Sequence, residues 1–429
     1  MSKQIEFEQL NETLYYEKLP NGLDVYILPK NGFNKTYATF TTKYGSIDNE
    51  FVPLGKEKMK RVPDGIAHFL EHKLFEKEDG DVFQHFSKQG ASSNAFTSFT
   101  RTAYLFSSTS NVEKNLETLI NFVQSPYFTE QTVEKEKGII GQEIKMYEDN
   151  PDWRVYFGLI RNMYEKHPVH IDIAGTIESI SEITKDMLYE CYETFYHPSN
   201  MLLFIVGPVE PNQIMEQVRE NQAKKQFEPS EDIKRNTVKE PDRVYKSSDK
   251  MYMPVQSSKC LVGIKAINPF RKGEKLLKQE LSMNLILEML FGKSSKAYEQ
   301  MYEEGLIDDT FSFDYTEEYG FGFAMIGGDT PSPNKLSKKV QQTLMDAKSH
   351  SFTNDQLETA KKKKIGSFLR ALNSPEYIAN QFTRYAFNEM NLFNVVPTLE
   401  KLTMDDIQQV MIQNIKEEQI SVFQVLPKK

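Results

Sequence analysis

Two stretches of the chain align without a gap, YFTEQTVEKEKGIIGQEIKMYEDNPDW at residues 127–153 and SFTNDQLETAKKKKIGSFLRALNSPEY at 351–377. The matched pairs are Phe128 with Phe352, Thr129 with Thr353, Val133 with Leu357, Glu134 with Glu358 and Pro151 with Pro375. Upstream, HKLF at 72–75 faces EMLF at 288–291. Chance similarity between two amphipathic helices is the alternative explanation. The alignment predicts two copies of one α+β unit of about 200 residues.

The residues around these stretches predict the elements of one unit. Aromatic and β-branched runs indicate strands, and apolar residues at helical spacing indicate helices. The predicted elements are strands at 23–29 and 36–46, paired strands at 90–108, helices at 111–124, 130–148 and 182–195, a helix stop at 150–153 and a buried strand at 201–206. The sequence therefore predicts an α+β fold of two homologous domains, each an antiparallel-rich sheet flanked by helices.

A change in composition marks the boundary between the two copies. At 429 residues the chain is too long for one ordinary core. Residues 226–250 carry two prolines, dense charge and few apolar anchors, a composition typical of a linker. The second copy then starts with a strand near 258–267. We expect a first domain over 1–225, a linker over 226–250 and a second domain over 251–429.

The composition argues against several classes of protein. A chain with 39% hydrophobic and 26% charged residues is typical of globular proteins, and a net charge of −9 argues against nucleic acid as the main partner. The KKKK run at 361–364 is then expected to form the solvated face of a helix. Two distant cysteines, Cys191 and Cys260, suit a reducing compartment. Without a signal-peptide core or a membrane-length apolar run, a cytoplasmic location without membrane insertion is expected.

The segment GIAHFLEHKLF, at 65–75, contains two of the seven histidines. His68 and His72 are four residues apart, so a helix presents both rings on one face, with Glu71 on the same side. Neutral imidazoles are zinc ligands, and a neighbouring carboxylate can accept the proton of an attacking water. The alternative is a helix whose histidines are satisfied by hydrogen bonds. Because the helix is otherwise apolar, a buried polar trio needs partners, and a metal ion supplies one.

A third ligand is predicted on the helix at 130–148. Glu143 falls within the apolar stripe of that helix, and Glu136 lies two turns earlier on nearly the same face. A carboxylate on an apolar face is costly unless it is paired or metal-bound. Spacing alone supports a metal ligand and a solvated helix face equally.

The second copy distinguishes a metal ligand from a solvated helix face. The positions matching His68, Glu71, His72, Glu136 and Glu143 hold Asn284, Leu287, Glu288, Ala360 and Ser367. The copies therefore retain aromatic and apolar positions but differ at every proposed metal position. We expect one metal site, confined to the first copy.

Several motifs together resemble one known family. HFLEH has the form H-x-x-E-H, the reverse of the common H-E-x-x-H zinc motif, and EKEKGIIGQE carries two glutamates seven residues apart. With SSNAFT, AGTIESISEIT and YHPSNMLLFIVG, they make the chain resemble the insulinase/pitrilysin (inverzincin) family of zinc metallopeptidases. The resemblance extends over nearly the whole chain and is strongest to the mitochondrial-processing-peptidase-like branch.

The resemblance implies roles for individual residues. The implied ligands of one Zn²⁺ are His68, His72 and Glu143, and the implied general base is Glu71. Glu136 resembles the glutamate that orients a zinc ligand in this family. Asn94 and Ala95 match the edge strand to which substrate adds as an extra strand. On its own, Asn94 is equally well explained as a turn residue.

The chain departs from the family in its second half. Family members carry an Arg and a Tyr seven residues apart around a Gly-Leu pair, and these contact substrate and the reacting carbonyl. Aligned on Gly305 and Leu306, this chain has Tyr302 and Asp308 at those places, so the oxyanion would lose part of its stabilisation. Bacterial members can pair a zinc-bearing subunit with a related subunit that supplies the Arg/Tyr pair. We therefore expect this chain to be the zinc-bearing half of a heterodimeric clamshell, with a homodimer as the other arrangement.

The expected function is that of a zinc metalloendopeptidase acting on peptides or short unfolded segments. The competing class is a non-catalytic binding or scaffold subunit of the same family. A non-catalytic subunit is expected to have lost its zinc ligands, and here all three implied ligands are present.

Overall fold

A computed structural model of the chain describes residues 2–78, 80–347 and 352–428. In chain order its strands are β1 (Lys3–Phe7), β2 (Glu12–Lys18), β3 (Asp24–Pro29), β4 (Thr36–Thr42), β5 (Glu50–Phe51), β6 (Lys60–Arg61), β7 (Glu76–Lys77), β8 (Gly80–Asp81), β9 (Ala91–Thr97), β10 (Thr102–Ser108), β11 (Met201–Gly207), β12 (Ser248–Met253), β13 (Ser258–Lys265), β14 (Ser312–Glu318), β15 (Phe321–Thr330) and β16 (Ile420–Pro427). Its helices are α1 (Ile66–Leu74), α2 (Val82–Lys88), α3 (Val112–Val123), α4 (Glu130–Asp149), α5 (Pro151–Met163), α6 (Ile177–Ser181), α7 (Lys185–Phe195), α8 (Pro211–Ala223), α9 (Gly273–Phe291), α10 (Lys296–Glu303), α11 (Pro333–Asp346), α12 (Asn354–Ala371), α13 (Pro375–Phe387), α14 (Val395–Lys401) and α15 (Met404–Asn414).

The first large sheet has the strand order β1-β2-β3-β11-β4-β10-β9. The pair β3 and β11 is parallel, and the other neighbours are antiparallel. Every residue of the central strands β4 and β11 is buried, as expected for strands covered on both faces. Strand β9 ends the sheet, so one side of its backbone is not paired within it.

The second large sheet repeats this order. Its strands run β12-β16-β13-β15-β14, which match β3-β11-β4-β10-β9 one for one. The pair β12 and β16 is again parallel, and the remaining pairs are again antiparallel. The internal repeat predicted from the sequence is therefore present in the topology, and the predicted α+β class with antiparallel-rich sheets is confirmed.

The chain forms two compact units that are discontinuous in sequence. Unit 1 comprises Met1–Ile144, Ile171–Asn236 and Ala371–Phe387, and unit 2 comprises Lys145–His170, Thr237–Arg370 and Asn388–Lys429. Each unit thus contains one helix encoded in the other half of the sequence. In unit 1, α13 packs on β4 and β11, whereas in unit 2, α5 packs on β13 and β16. The linear boundaries at 225 and 250 stay a prediction.

Two local expectations differ from the structure. NPDW at 150–153 ends α4, as predicted, but it also begins α5, because the Asn150 side chain accepts hydrogen bonds from the N–H groups of residues 152 and 153. The structure adds helix α8, whose apolar face includes Ile214 and Val218 and which the sequence did not predict. Strand β12 begins at residue 248, inside the predicted linker.

Side chains of the predicted linker bond to each unit in turn. In unit 1, Arg235 Nε donates to Asp48 Oδ1 at 2.7 Å. In unit 2, Glu240 Oε1 accepts from Lys265 Nζ at 2.7 Å. None of the helices in the described ranges has the length and apolarity that a membrane crossing requires.

Candidate metal centre

Helix α1 carries the two histidines and begins at a residue that only glycine satisfies. Gly65 has a φ of +90°, and a Cβ there would lie 2.4 Å from the carbonyl oxygen of Ala174. Within the helix, Phe69, Leu70 and Leu74 are fully buried in the core of unit 1. This packing fixes the helix, so that His68, Glu71 and His72 share the remaining face.

Three side chains of unit 1 converge on one point. The candidate ligand atoms of His68, His72 and Glu143 all lie within 4.8 Å of one another. Glu143 Oε2 lies 3.7 Å from His68 Nε2 and 3.5 Å from His72 Nε2. Zinc bonds of ~2.0–2.1 Å in a tetrahedron place ligand atoms roughly 3.3 Å apart, so the observed spacing fits that ion. The donor set of two imidazoles and one carboxylate is likewise one that zinc takes.

His68 lacks a partner other than this cluster. The residue is 8% exposed, and neither of its ring nitrogens makes a hydrogen bond to any residue in the described ranges. Burial, reinforced by the neighbouring His72, lowers the pKa of His68 to about 4, so the ring is neutral at pH 7. A neutral buried imidazole without a partner is costly, and a cation at Nε2 would offset part of that cost.

Glu136 contacts the ring nitrogen of His72 that is not directed at Glu143. Its Oε1 lies 3.0 Å from His72 Nδ1, which leaves Nε2 facing Glu143. Burial by itself lowers the pKa of His72, but the hydrogen bond to Glu136 and the charges of Glu71 and Glu143 outweigh burial and raise it. A carboxylate on the far nitrogen fixes the ring orientation and the tautomer of a metal-binding histidine.

Glu71 is a buried carboxylate next to this cluster. It is 8% exposed, and Thr97 Oγ1 donates to its Oε2 at 2.6 Å. Burial raises the pKa of Glu71 to about 7, while the hydrogen bond from Thr97 opposes that rise. A carboxyl group with a pKa near neutrality is suited to accept and return a proton.

The edge strand β9 carries the two predicted substrate-contact residues. Asn94 Oδ1 accepts a hydrogen bond from the Ala95 N–H at 2.9 Å, on the side of the strand away from β10. An extended chain added to this edge would have to displace the Asn94 carboxamide to use that donor.

In unit 2 the matching positions form no such cluster among the described residues. Asn284 Nδ2 donates to the backbone carbonyls of Glu280 and Tyr315, at 3.0 and 3.1 Å. Glu288 pairs with Lys363 at 2.5 Å. Side chains that hold backbone or each other therefore replace the converging donors of unit 1.

The two residues that take the Arg and Tyr places offer little to an oxyanion. Tyr302 is 59% exposed on helix α10. Asp308 accepts hydrogen bonds from the Thr310 N–H and hydroxyl at 2.8 and 2.6 Å. The hydrogen bonds from Thr310 lower the pKa of Asp308, so this side chain is an anion at neutral pH and cannot donate a hydrogen bond.

Sequence reasoning brought together the residues that the structure clusters but missed Thr97. This threonine lies in the SSNAFT motif, two residues after Ala95, and strand alternation puts both side chains on one face. Its contact with Glu71 depends on how β9 packs against α1, which sequence spacing does not give.

Two family models match the chain. The model described as "Insulinase (Peptidase family M16)" matches residues 53–177, and the model described as "Peptidase M16 inactive domain" matches residues 182–364. Together they span well over half of the chain. The first match contains all the candidate metal-site residues, and the second covers most of the sequence that lacks them.

Individual proteins extend the similarity over the full length. "Uncharacterized zinc protease YmfH" of Bacillus subtilis is 69% identical over 428 residues, which is 100% of each chain. The crystal structure of an M16-like protein from Alicyclobacillus acidocaldarius has a TM-score of 0.94 and 40% identity, covering 97% of this chain and 99% of that one. Pitrilysin has a TM-score of 0.77 at 13% identity, a likeness of fold alone, and this chain covers 46% of it.

Proposed function

We propose that this chain, which belongs to the insulinase family of peptidases (family M16), is a zinc-dependent endopeptidase that hydrolyses peptides or short unfolded segments. The observation that carries the proposal is the convergence of His68, His72 and Glu143 beside the buried carboxylate of Glu71. Two relatives from Bacillus subtilis are named zinc proteases, which agrees with this donor set.

Each residue of the site has a distinct task. Zinc, when bound, supplies a Lewis acid that polarises the scissile carbonyl and makes the attacking water more acidic. Glu71, a buried carboxylate beside these donors, accepts the proton of that water and delivers it to the leaving amine. Glu136 keeps His72 oriented, and burial keeps His68 neutral.

The substrate is proposed to bind as an extended strand on the free edge of β9. The backbone N–H of Ala95 lies on that edge, and main-chain hydrogen bonds recognise any extended sequence. A folded protein does not present such a strand, so peptides and unfolded segments are the favoured substrates.

A related subunit is proposed to complete the oxyanion site. The anionic state of Asp308 and the exposure of Tyr302 support this, because neither provides the cationic or phenolic donor of the family. Pitrilysin, which is about twice as long as this chain, is consistent with an arrangement of paired halves. A second copy of this chain would bring the same Asp308, so a heterodimer is favoured over a homodimer.

Metal analysis combined with Glu71→Gln tests the proposal. We expect about one zinc per chain, chelator-sensitive cleavage of a quenched fluorescent peptide library, and a fall in kcat of about 10²–10⁴-fold in the variant with zinc retained. Glu134→Gln, an exposed carboxylate on α4, is the matched control and should retain zinc and cleavage.

The same experiment identifies the competing function. Zinc without cleavage, even after any co-purified related subunit is added, would favour a non-catalytic binding or scaffold subunit. Cleavage that survives Glu71→Gln would contradict the assignment of the base. Full activity of the purified chain alone would contradict the need for a partner but not the peptidase.

A further inference from the structure

The carboxylate of Glu71 is held by a residue of the edge strand. Thr97 Oγ1 donates to Glu71 Oε2 at 2.6 Å, and across the described ranges no other hydrogen bond to this carboxylate occurs. A hydrogen bond of this length to an ionised acceptor belongs to the stronger class. The contact joins α1, which carries the base, to β9, the strand proposed to receive substrate.

The Thr97 hydroxyl has two oxygen atoms within reach of its proton, one on Glu71 and one on Thr102. Thr102 lies opposite Thr97 in the ladder, and the two hydroxyl oxygens are 3.3 Å apart. Thr102 donates its own proton to the carbonyl oxygen of Tyr44 at 2.9 Å. Thr97 likewise has a single proton, which can go to Glu71 or to the Thr102 oxygen but not to both, and the carboxylate oxygen is the closer and stronger acceptor.

We propose that Thr97 is a positioning residue for Glu71, an inference that rests on the proposed function. The terminal torsion of a glutamate is broad, so a carboxylate without a partner samples many orientations. Thr97 holds Oε2 and leaves Oε1 to take the proton of the attacking water. Because β9 pairs with β10 along its whole length, the backbone that carries this hydroxyl is fixed by the sheet.

The position of Thr97 predicts which kinetic constant responds. The residue contacts the base, whereas the substrate is proposed to bind through backbone groups around Asn94 and Ala95. Loss of the hydroxyl should therefore lower kcat and leave KM nearly unchanged. Outer partners of active-site groups are worth about 10–100-fold in activity, which sets the expected size of the loss.

The primary test uses the zinc-loaded chain, with any co-purified subunit, and the quenched peptide library. Thr97→Val should lower kcat about 10–100-fold with zinc content unchanged. Thr97→Ser, which keeps the hydroxyl, should retain most of the wild-type kcat. Thr41→Val is the matched control, since Thr41 is a buried strand residue of the same sheet whose hydroxyl has no described partner. That variant should behave like the wild type. Should Thr97→Val fail to fold, Thr97→Ala takes its place with the same expectation.

A second measurement uses the zinc-free protein and does not depend on activity. The urea midpoints of Thr97→Val, Glu71→Leu, which removes the acceptor, and the double variant form a double-mutant cycle. A direct hydrogen bond predicts non-additive effects, so that the second substitution adds little to the first. Thr41→Val combined with Glu71→Leu should be additive.

Three outcomes would overturn the inference: wild-type kcat in Thr97→Val, an equal loss in Thr97→Ser, or an additive cycle. A change in KM alone would also contradict it, because that would assign Thr97 to substrate binding. An inactive wild-type protein would instead count against the proposed function, and the zinc-free cycle would still report on the Thr97–Glu71 contact.

Discussion

The five strands of the sheet in unit 2 repeat the order of five of the seven strands in unit 1, yet in the described residues only unit 1 brings two histidines and a glutamate together. The position of Glu71 in unit 1 is held in unit 2 by Leu287, a fully buried apolar side chain. The fold therefore does not require the polar cluster. A buried carboxylate and a buried imidazole cost stability that a leucine would not, so the difference between the units marks α1 as a functional helix.

The helices that carry these positions also differ in length. Helix α1 begins after Gly65, whereas α9 starts at Gly273 and runs through Leu281, the residue that matches Gly65. The metal-bearing unit therefore has the short helix, and the other unit has a long helix that continues through the position matching Gly65.

Substitution of matching positions in the two units tests the comparison most strongly. His72→Ala should abolish stoichiometric zinc and reduce peptide cleavage to background, because one of three converging donors is lost. Glu288→Ala, at the matching position of unit 2, should leave both unchanged, since its partner Lys363 is 52% exposed and such pairs are worth about 0–1 kcal/mol. Zinc is measured by atomic emission. Loss of zinc from the Glu288 variant would mean that the two units are not distinguished in this way.

The start of α1 provides the next test. Gly65→Ala adds a Cβ at a φ of +90° and 2.4 Å from the Ala174 carbonyl, so it should lower the free energy of unfolding by about 3 kcal/mol. Gly366 lies in the middle of α12 with open space around the position of a Cβ. Gly366→Ala should therefore raise the free energy of unfolding by about 0.5–1 kcal/mol. Urea titration of both variants measures the sign of each change in the free energy of unfolding. Equal effects would show that the start of α1 is not under this constraint.

A third test concerns Glu136, which faces His72 in unit 1 and is replaced by Ala360 in unit 2. Glu136→Gln keeps an oxygen near His72 Nδ1 but removes the charge, so zinc affinity should fall about 10–100-fold. Competition with a chelator measures the affinity. Glu134→Gln, 70% exposed on the same helix, should bind zinc as the wild type does. An unchanged affinity in the Glu136 variant would limit that residue to a structural role.

Much of this comparison could be predicted from the sequence, for physical reasons. The spacing of His68, Glu71 and His72 on a helix depends on local geometry alone, and the gapless repeat follows from apolar positions that both copies retain. The strand order required the structure, because pairing between strands such as β3 and β11 joins residues far apart in the chain. Thr97 was missed for the same reason, since its contact crosses from one element to another.

Helix α8 is an element for which the sequence analysis made no prediction. Pro211 at its start and the charged residues that follow resemble a linker, although proline is common in the first turn of a helix. The apolar residues Ile214, Met215 and Val218, at helical spacing, are the signal that would have identified it. The chain after residue 223, by contrast, has the irregular structure that its composition indicates until β12 begins.

The bonds that tie this segment to unit 2 give the smallest predicted effect. Burial by itself raises the pKa of Glu240, but hydrogen bonds from Lys265 and from the N–H groups of residues 165–167 outweigh burial and lower it. A carboxylate with a lowered pKa stabilises the folded state above the ordinary glutamate pKa of about 4.3, and that contribution is lost as the pH falls through the folded-state pKa. Glu240→Gln should therefore cost about 1 kcal/mol at pH 7, and the difference from the wild type should shrink in acid. Urea titrations at several pH values measure this difference, and Glu231→Gln, exposed on the same segment, should show neither effect. A difference that does not change with pH would mean that Glu240 contributes by packing and not by its charge.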